Sequence, residues 1–199
     1  MISITPLSQR DPRWANLLIG NSPVSTVAQY GCLWTCWFML CLRDRAAEAT
    51  LARSFMACLR DNGNYESDVA GRGAYAAKFD FAPCVPAIWG GVRLLYRSAK
   101  FAMLMGKRWV KGLPTPDEEI ERLVAHLRSG QPAIVEVDSI LGTQGQNQHF
   151  VLATGLDADG QVLIADPWPW PVRGTEPLAP RYGASPGWAV WRYLLYEAG

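Results

Sequence analysis

A cysteine, a histidine and an aspartate occur in this sequence in an order, and in surroundings, that predict nucleophilic catalysis by a thiol. Cys32 lies in the run Tyr-Gly-Cys-Leu-Trp-Thr, His149 opens an apolar run, and Asp166 follows the next apolar run. In such a set the thiolate attacks a carbonyl carbon, the imidazole transfers a proton and the carboxylate orients the imidazole. The chain has only two histidines, so few residues compete for the role of base.

Cys32 is the best placed of the five cysteines to be a nucleophile. Gly31 interrupts the chain just before a predicted apolar helix, and the positive end of a helix stabilises a thiolate. A neighbouring imidazolium would stabilise it further. From its position alone, Cys32 is equally compatible with a buried packing role. The other cysteines are interpreted as packing groups or, for the last of them, as a weaker alternative nucleophile: Cys36, Cys41, Cys58 and Cys84.

The two histidines lie in different settings. His126 comes late in a predicted amphipathic helix, where a structural role near the helix end is expected. His149 follows the polar run 142–148 and begins an apolar strand. A side chain at the end of a strand can be rigid and still face a cleft. We therefore predict that His149 is the base.

Hairpin geometry favours Asp166 as the residue that orients His149. The run 157–160 predicts a tight turn, and a loop of two or four residues would pair Val151 with Asp166. His149 then lies two residues along the strand from Val151, on the same face of the sheet. A register shifted by one residue would put the two side chains on opposite faces. Asp138, which ends a different strand, is the alternative orienting residue.

A tetrahedral intermediate also needs hydrogen-bond donors for its oxyanion. The backbone N–H of Cys32, at the start of a helix, is one candidate donor. A side-chain amide is the usual second donor, and Gln9 and Gln29 both precede Cys32. From the residues alone, either glutamine could be this second donor, and either could instead be an ordinary polar residue of the surface.

Composition limits the other function classes. The chain has 199 residues, 49% of them hydrophobic, and a formal net charge of +1, which predicts one domain and no attraction to nucleic acid. Its five cysteines have no framework spacing, which favours free thiols in a reducing compartment. Without a leader-like or membrane-spanning run, a cytoplasmic location is expected, and release by a leaderless route stays open. The sequence predicts no metal and no cofactor.

The pattern of apolar and turn residues predicts an α+β fold in a single domain, 1–199. A largely helical half would run to about residue 130 and an antiparallel sheet would follow from about 131. The helix near 115 has Thr115 as its expected cap and Glu118 as the second member of a capping box. Six basic residues between 93 and 111 are interpreted first as a solvated helix face and second as a docking face for an acidic partner or membrane. Helices are predicted over 32–43, 45–61, 92–105 and 115–128, and strands over 133–137, 149–156, 161–165 and 188–193.

Several runs together resemble one family, the stand-alone relatives of the bacteriocin-processing (double-glycine leader) cysteine peptidases. The resemblance implies a papain-like fold, with a buried N-terminal helix packed on an antiparallel sheet. It assigns Cys32 as nucleophile, His149 as base and Asp166 as orienter, and Gln9 as the glutamine preceding the nucleophile. Because no transporter lies in this sequence, double-glycine specificity is not carried over. The matching runs are Ser8–Trp14, Tyr30–Met39, Ser129–Val135, His149–Gly155 and Asp166–Trp168.

Three functions follow from these residues. The first is a cysteine peptidase that hydrolyses peptide bonds through a thioester, with a peptide or protein as substrate. The second keeps the same three residues in a peptidoglycan amidase or endopeptidase, or in an acyl transferase. The third is a binding module on a peptidase fold that performs no chemistry. The sequence leaves the oligomeric state and the identity of the substrate open.

Overall fold

A six-stranded antiparallel sheet is the central element of the part of the chain that the structure describes. The computed structural model describes residues 4–18, 24, 26–42, 65–67, 73–75, 92–98, 114–140 and 148–198. The helices are α1 (Val27–Tyr30), α2 (Cys32–Leu42), α3 (Asp117–Arg128), α4 (Leu178–Arg181) and α5 (Pro186–Ala189). The strands are β1 (Tyr65–Ser67), β2 (Gly73–Tyr75), β3 (Val92–Arg97), β4 (Ala133–Asp138), β5 (Gln148–Leu156), β6 (Val162–Ala165), β7 (Glu176–Pro177) and β8 (Arg192–Ala198).

The strand order of the large sheet is β3-β8-β4-β5-β6-β7, and β1 pairs with β2 in a separate hairpin. All of the pairings are antiparallel. This arrangement of an antiparallel sheet with helices packed against it confirms the predicted α+β class. The expectation of a single domain stays a prediction.

Helix α2 is apolar all round because it is enclosed on every side. Its residues from Cys32 to Leu40 are at most 5% exposed. Trp37 Nε1 donates a hydrogen bond to the Tyr196 hydroxyl, 3.2 Å away, across to β8. The side chain of Tyr196 alternates along the strand with that of Leu195, which packs against α3, so α2 lies on the other face of the sheet.

Helix α3 covers the second face with the apolar stripe that its sequence predicted. Leu123 and Leu127 are buried, and Ile120 and Val124 pack partly buried against the same cluster. The predicted cap is wrong, however, because the Thr115 hydroxyl donates to the carbonyl of Val190 and no side chain caps the helix. Thr115 is therefore bonded to the residue that follows α5 and does not cap α3.

Two further predictions are wrong. Residues 92–97 form strand β3 rather than the start of a helix, because their backbone pairs with β8. This long-range pairing outweighs the helical spacing of the basic residues. The predicted strand 188–193 instead begins with helix α5, whose Trp188 and Ala189 donate backbone hydrogen bonds to Ser185, and β8 starts only at Arg192.

The boundary between a helical half and a sheet half is also less clean than predicted, since β3 joins the sheet from the first half of the chain. The predicted helix over 45–61 and most of the basic run 93–111 lie outside the described residues. Among the helices of the described part, none is long and apolar enough to cross a bilayer.

Candidate active site

Cys32 is the first residue of α2, and the preceding residue, Gly31, allows α1 to pack closely against the start of this helix. The Gly31 N–H donates to the Val27 carbonyl at 2.8 Å and closes α1. A Cβ atom at Gly31 would lie 2.4 Å from that same carbonyl oxygen, which no side chain tolerates. Cys32 is 5% exposed and lines a cleft, with its backbone N–H at the helix start.

The turn between β5 and β6 has a length that the sequence did not predict. Asp157 N donates to Gln161 O at 2.9 Å, which leaves three residues between them instead of two or four. The Asp157 carboxylate accepts the N–H groups of Asp159 and Gln161, and Gly160 has a φ of 79°. A loop of this length shifts the pairing by one residue, which would put the following side chains on the wrong faces.

A β-bulge at Thr154 removes this offset. Beyond the bulge Leu152 pairs with Ala165, which is the register that the sequence predicted. Asp166 directly follows Ala165 and therefore lies on the same face of the sheet as His149. The bulge is thus the local feature that brings the imidazole and the carboxylate together.

His149 joins a carboxylate to a thiol. Its Nε2 lies 2.8 Å from Asp166 Oδ1, and the Cys32 side chain is a further hydrogen-bond partner of the ring. Because Nε2 faces Asp166, Nδ1 is the nitrogen left to face the thiol. The His149 and Asp166 side chains are 6% and 2% exposed, so solvent screens this contact little.

The surroundings of the pair favour its charged form. Burial on its own lowers the pKa of His149, but the hydrogen bonds and charges of Asp166 and Cys32 raise it to about 9. Burial on its own raises the pKa of Asp166, but the hydrogen bond and charge of His149 lower it to about 2. At neutral pH the pair is therefore an imidazolium and a carboxylate.

Asp166 has further donors that sequence reasoning missed. The Trp168 backbone N–H donates to Oδ1 at 2.9 Å. On the other oxygen, the Tyr182 hydroxyl donates to Oδ2 at 2.6 Å and an Arg181 nitrogen lies 3.4 Å away. Arg181 ends α4 and Tyr182 follows it, and no spacing or motif in the sequence relates these two residues to Asp166.

The cleft that these residues line has a volume of about 420 Å³. Its lining combines the groups of the site with exposed apolar side chains, among them Tyr30 and Ile140, which are 44% and 51% exposed. Trp168 packs edge-on against the His149 ring at 6.2 Å between centroids. The residues that line the cleft are Gln9, Gln29, Tyr30, Cys32, Ser139, Ile140, His149, Trp168, Arg181 and Tyr182.

Both candidate glutamines line this cleft, but they are held in different ways. Gln9 is 1% exposed, its Nε2 donates to Ala28 O at 2.8 Å, and its backbone N–H donates to Pro167 O at 2.7 Å. Among the described residues its Oε1 has no hydrogen-bond partner. Gln29 is exposed, and its Oε1 accepts from the Thr26 backbone N–H and hydroxyl at the start of α1.

Of the other sequence candidates that the structure describes, none lines the cleft. Cys36 is fully buried, and burial raises the pKa of its thiol well above the ordinary value. His126 donates from Nε2 to the carbonyls of Pro132 and Tyr196, which lie outside its own helix, and its structural role stays a prediction. Asp138 is buried and accepts the Ile140 N–H. Nothing is described for the side chains of Cys41, Cys58 and Cys84.

The comparison with protein families agrees with the resemblance that the motifs indicated. The model of the Peptidase_C39 like family matches residues 1–185. This chain belongs to the Peptidase_C39 like family. The match spans all the residues that line the cleft, from Gln9 to Tyr182. As a member of the C39-like family, the chain is a relative of peptidases, which are hydrolases.

Searches among individual proteins add little to this. An inferred C39-like peptidase from Bacillus anthracis, known from its crystal structure, aligns at 18% identity with a TM-score of 0.30. The alignment covers 40% of this chain, and this chain spans about half of that protein, 48%. With an identity and a TM-score this low, the similarity supports no conclusion about fold or function. Among curated proteins, none matches this chain.

Proposed function

We propose that this chain is a cysteine peptidase of papain-like fold, with Cys32 as nucleophile, His149 as acid and base, and Asp166 as orienter. The observation that carries the proposal is the placement of His149, which contacts the Cys32 side chain on one side and Asp166 Oδ1, at 2.8 Å, on the other. Cys32 and His149 line a cleft large enough for peptide side chains, and Asp166 contacts His149. Membership of a peptidase-like family supports the choice of peptides as substrates.

The charged state of His149 suits thiol chemistry. An imidazolium beside a cysteine stabilises the thiolate, which is the form that attacks. With the pKa of His149 raised to about 9, the ring keeps its proton at neutral pH. Asp166 stabilises that proton and fixes the ring so that Nδ1 faces the nucleophile.

Acylation and deacylation then follow in two balanced steps. Cys32 Sγ bonds to the carbonyl carbon of the scissile amide, and the carbonyl electron pair moves onto oxygen. As that pair returns, the C–N bond breaks and His149 gives its Nδ1 proton to the leaving nitrogen, which leaves a thioester. Water then loses a proton to His149 and attacks the thioester, and the C–S bond breaks to release the acid and restore the thiolate.

We further propose that Gln9 and the Cys32 backbone N–H stabilise the oxyanion. Gln9 is buried in the cleft wall and uses one of its two amide N–H groups on Ala28, so the second N–H remains to donate. Its backbone is tied to the loop after Asp166, which holds the side chain in place. The Gln29 amide oxygen instead accepts from Thr26 at the start of α1, and the side chain is exposed.

The test of this proposal combines labelling with a cleavage assay. In the wild-type protein, iodoacetamide should alkylate Cys32 faster than Cys36 at neutral pH. When the wild type is incubated with denatured proteins as substrates, mass spectrometry should detect new peptide termini. Cys32→Ala and His149→Ala should each prevent this cleavage. Cys36→Ala is the matched control and should cleave as the wild type does.

Two results would contradict the proposal. If Cys32 is no more reactive than an ordinary thiol and nothing is cleaved, the chain is a binding module. If peptides stay intact while cell-wall muropeptides are cleaved in a reaction that requires Cys32, the catalytic residues stand and the substrate class is wrong.

A further inference from the structure

Hydrogen-bond donors contact both oxygens of the Asp166 carboxylate, Oδ1 on the side of His149 and Oδ2 on the opposite side. Tyr182, 3% exposed, places its hydroxyl 2.6 Å from Oδ2. Oδ1 meanwhile accepts from His149 Nε2 at 2.8 Å and from the Trp168 N–H at 2.9 Å. Donors on both oxygens fix the rotation of the carboxylate plane as well as its position.

Arg181 also approaches Oδ2, but it is the weaker of the two neighbours on that oxygen. Its nitrogen is 3.4 Å from Oδ2, its side chain is 41% exposed, and it pairs in addition with Glu176 at 3.6 Å. The Tyr182 hydroxyl stays protonated, because burial and the adjacent carboxylate raise its pKa. Tyr182 is therefore the short, buried and permanent donor on this side.

We propose that Tyr182 is a positioning residue that holds the Asp166 carboxylate in line with the His149 ring. The three-residue set of Cys32, His149 and Asp166 is on this view extended by a fourth residue, which acts on His149 through Asp166. The consequence for catalysis rests on the proposed function. The consequence for His149 does not, because it follows from the hydrogen bonds alone.

The chain offers a matched control elsewhere in the fold. The Tyr193 hydroxyl donates to Glu119 Oε2 at 2.5 Å, so it is a second buried tyrosine bonded to a carboxylate. Tyr193 does not line the cleft. Tyr182→Phe and Tyr193→Phe therefore remove the same kind of hydrogen bond, one at the site and one outside it.

The pKa of His149 is the decisive measurement, since the chain has only two histidines and their NMR signals are simple to assign. Among the described residues, the titratable or charged groups around the ring are Cys32 from α2, Asp166 after β6, Arg181 at the end of α4 and Tyr182 just after it. His126 provides an internal reference in the same titration, because it lies outside the cleft.

In wild-type protein we expect His149 to titrate near 9. Tyr182→Phe frees the carboxylate to rotate, which weakens its hold on the imidazolium, so the pKa of His149 should fall by about 0.5–1 unit. Peptide cleavage measured as kcat/KM should fall about 10-fold, mostly in kcat. Tyr193→Phe should lower thermal stability while leaving both the pKa of His149 and kcat/KM unchanged.

A double-mutant cycle with Asp166→Asn tests whether Tyr182 acts through Asp166. In the Asp166→Asn background, Tyr182→Phe should change neither the pKa of His149 nor kcat/KM further. A pKa of His149 that stays put or rises in Tyr182→Phe would overturn the proposal, and so would an effect that persists in the Asp166→Asn background. If the wild type cleaves no substrate, the proposed function fails while the NMR titration still decides the role of Tyr182.

Discussion

The cleft and the rest of the fold each contain a cysteine and a histidine, but these side chains have different neighbours in the two places. Cys32 and Cys36 lie one turn apart on the same helix, yet only Cys32 faces the cleft. His149 and His126 are each bound through Nε2, but His149 meets the Asp166 carboxylate whereas His126 meets two neutral carbonyls. The chemistry of each residue is therefore decided by its partner.

The two histidines show how large this effect is. In both cases burial lowers the pKa, because it penalises the imidazolium. For His126 burial prevails and the pKa lies below its ordinary value. For His149 the charged partners prevail and raise the pKa to about 9. Of these two histidines, only the one beside a carboxylate and a thiol has a pKa above neutral pH.

The largest expected difference is between the two cysteines. Cys32→Ala should abolish hydrolysis with little change in the free energy of unfolding, because it removes one sulfur at a helix start. Cys36→Ala should keep activity and cost about 1–3 kcal/mol, because it leaves a cavity in the core. Cleavage assays with chemical denaturation measure both. Loss of activity in well-folded Cys36→Ala, with activity kept in Cys32→Ala, would show that the thiol is wrongly assigned.

Removing the charge beside His149 should have the next largest effect. Asp166→Asn should lower kcat/KM by about 10²–10⁴-fold, since the ring loses both its orientation and the anion that stabilises its proton. The alkaline limb of the pH profile, expected near 9 in the wild type, should move to lower pH. A profile whose alkaline limb is unchanged in Asp166→Asn would mean that another group controls it.

The same pair makes stability depend on pH. The pKa of His149 is above its ordinary value, so its contribution to the free energy of unfolding is complete below about 6.5 and is lost as the pH rises to about 9. The pKa of Asp166 is below its ordinary value, so its contribution is complete above about 4 and is lost as the pH falls to about 2. The free energies of unfolding of the wild type and Asp166→Asn should therefore differ most between about pH 4 and 6.5, and the difference should shrink on either side.

The two glutamines of the cleft provide the third comparison. Gln9→Ala should lower kcat about 10²-fold or more with little change in KM, because its amide is needed for the oxyanion and not for the ground state. Gln29→Ala should remove only an exposed contact at the start of α1 and leave kcat nearly unchanged. The reverse result, measured by steady-state kinetics on one peptide, would transfer the oxyanion role to Gln29.

The last comparison concerns the stability effects of two glycines. Gly31→Ala should destabilise the fold by about 2–3 kcal/mol, because its Cβ would meet the Val27 carbonyl and push α1 away from the start of α2. Gly174→Ala, where no atom lies within 4 Å of the added Cβ, should change stability by no more than about 0.5 kcal/mol. Equal unfolding midpoints for the two variants would show that the glycine before Cys32 is not sterically required.

Local sequence patterns predicted the elements whose own residues decide their structure. Helix α2 is apolar along its whole length and α3 has a regular apolar stripe, so both were found close to their true bounds. Strand β3 was mistaken for a helix because its partner is β8, about a hundred residues further along the chain. A short segment whose conformation depends on so distant a partner carries too little information in its own sequence.

The site divides in the same way. The order of Cys32, His149 and Asp166 could be found in the sequence, and the register that joins the last two was predicted correctly beyond the bulge. The prediction of the turn length was wrong, since neither the three-residue loop nor the bulge at Thr154 was foreseen. Tyr182 could not be found, because its link to Asp166 is made by tertiary packing alone.

The bulge at Thr154 also limits how the hairpin can change in evolution. Its three-residue turn and its bulge each offset the pairing by one residue, and the two offsets cancel before the strand reaches His149. A single inserted or deleted residue in this hairpin would reverse the face of His149 relative to Asp166. Related chains that keep the contact between His149 and Asp166 should therefore gain or lose residues in this hairpin only in compensating pairs. A single-residue gap between these two positions in a sequence alignment should mark a relative in which the contact has been lost.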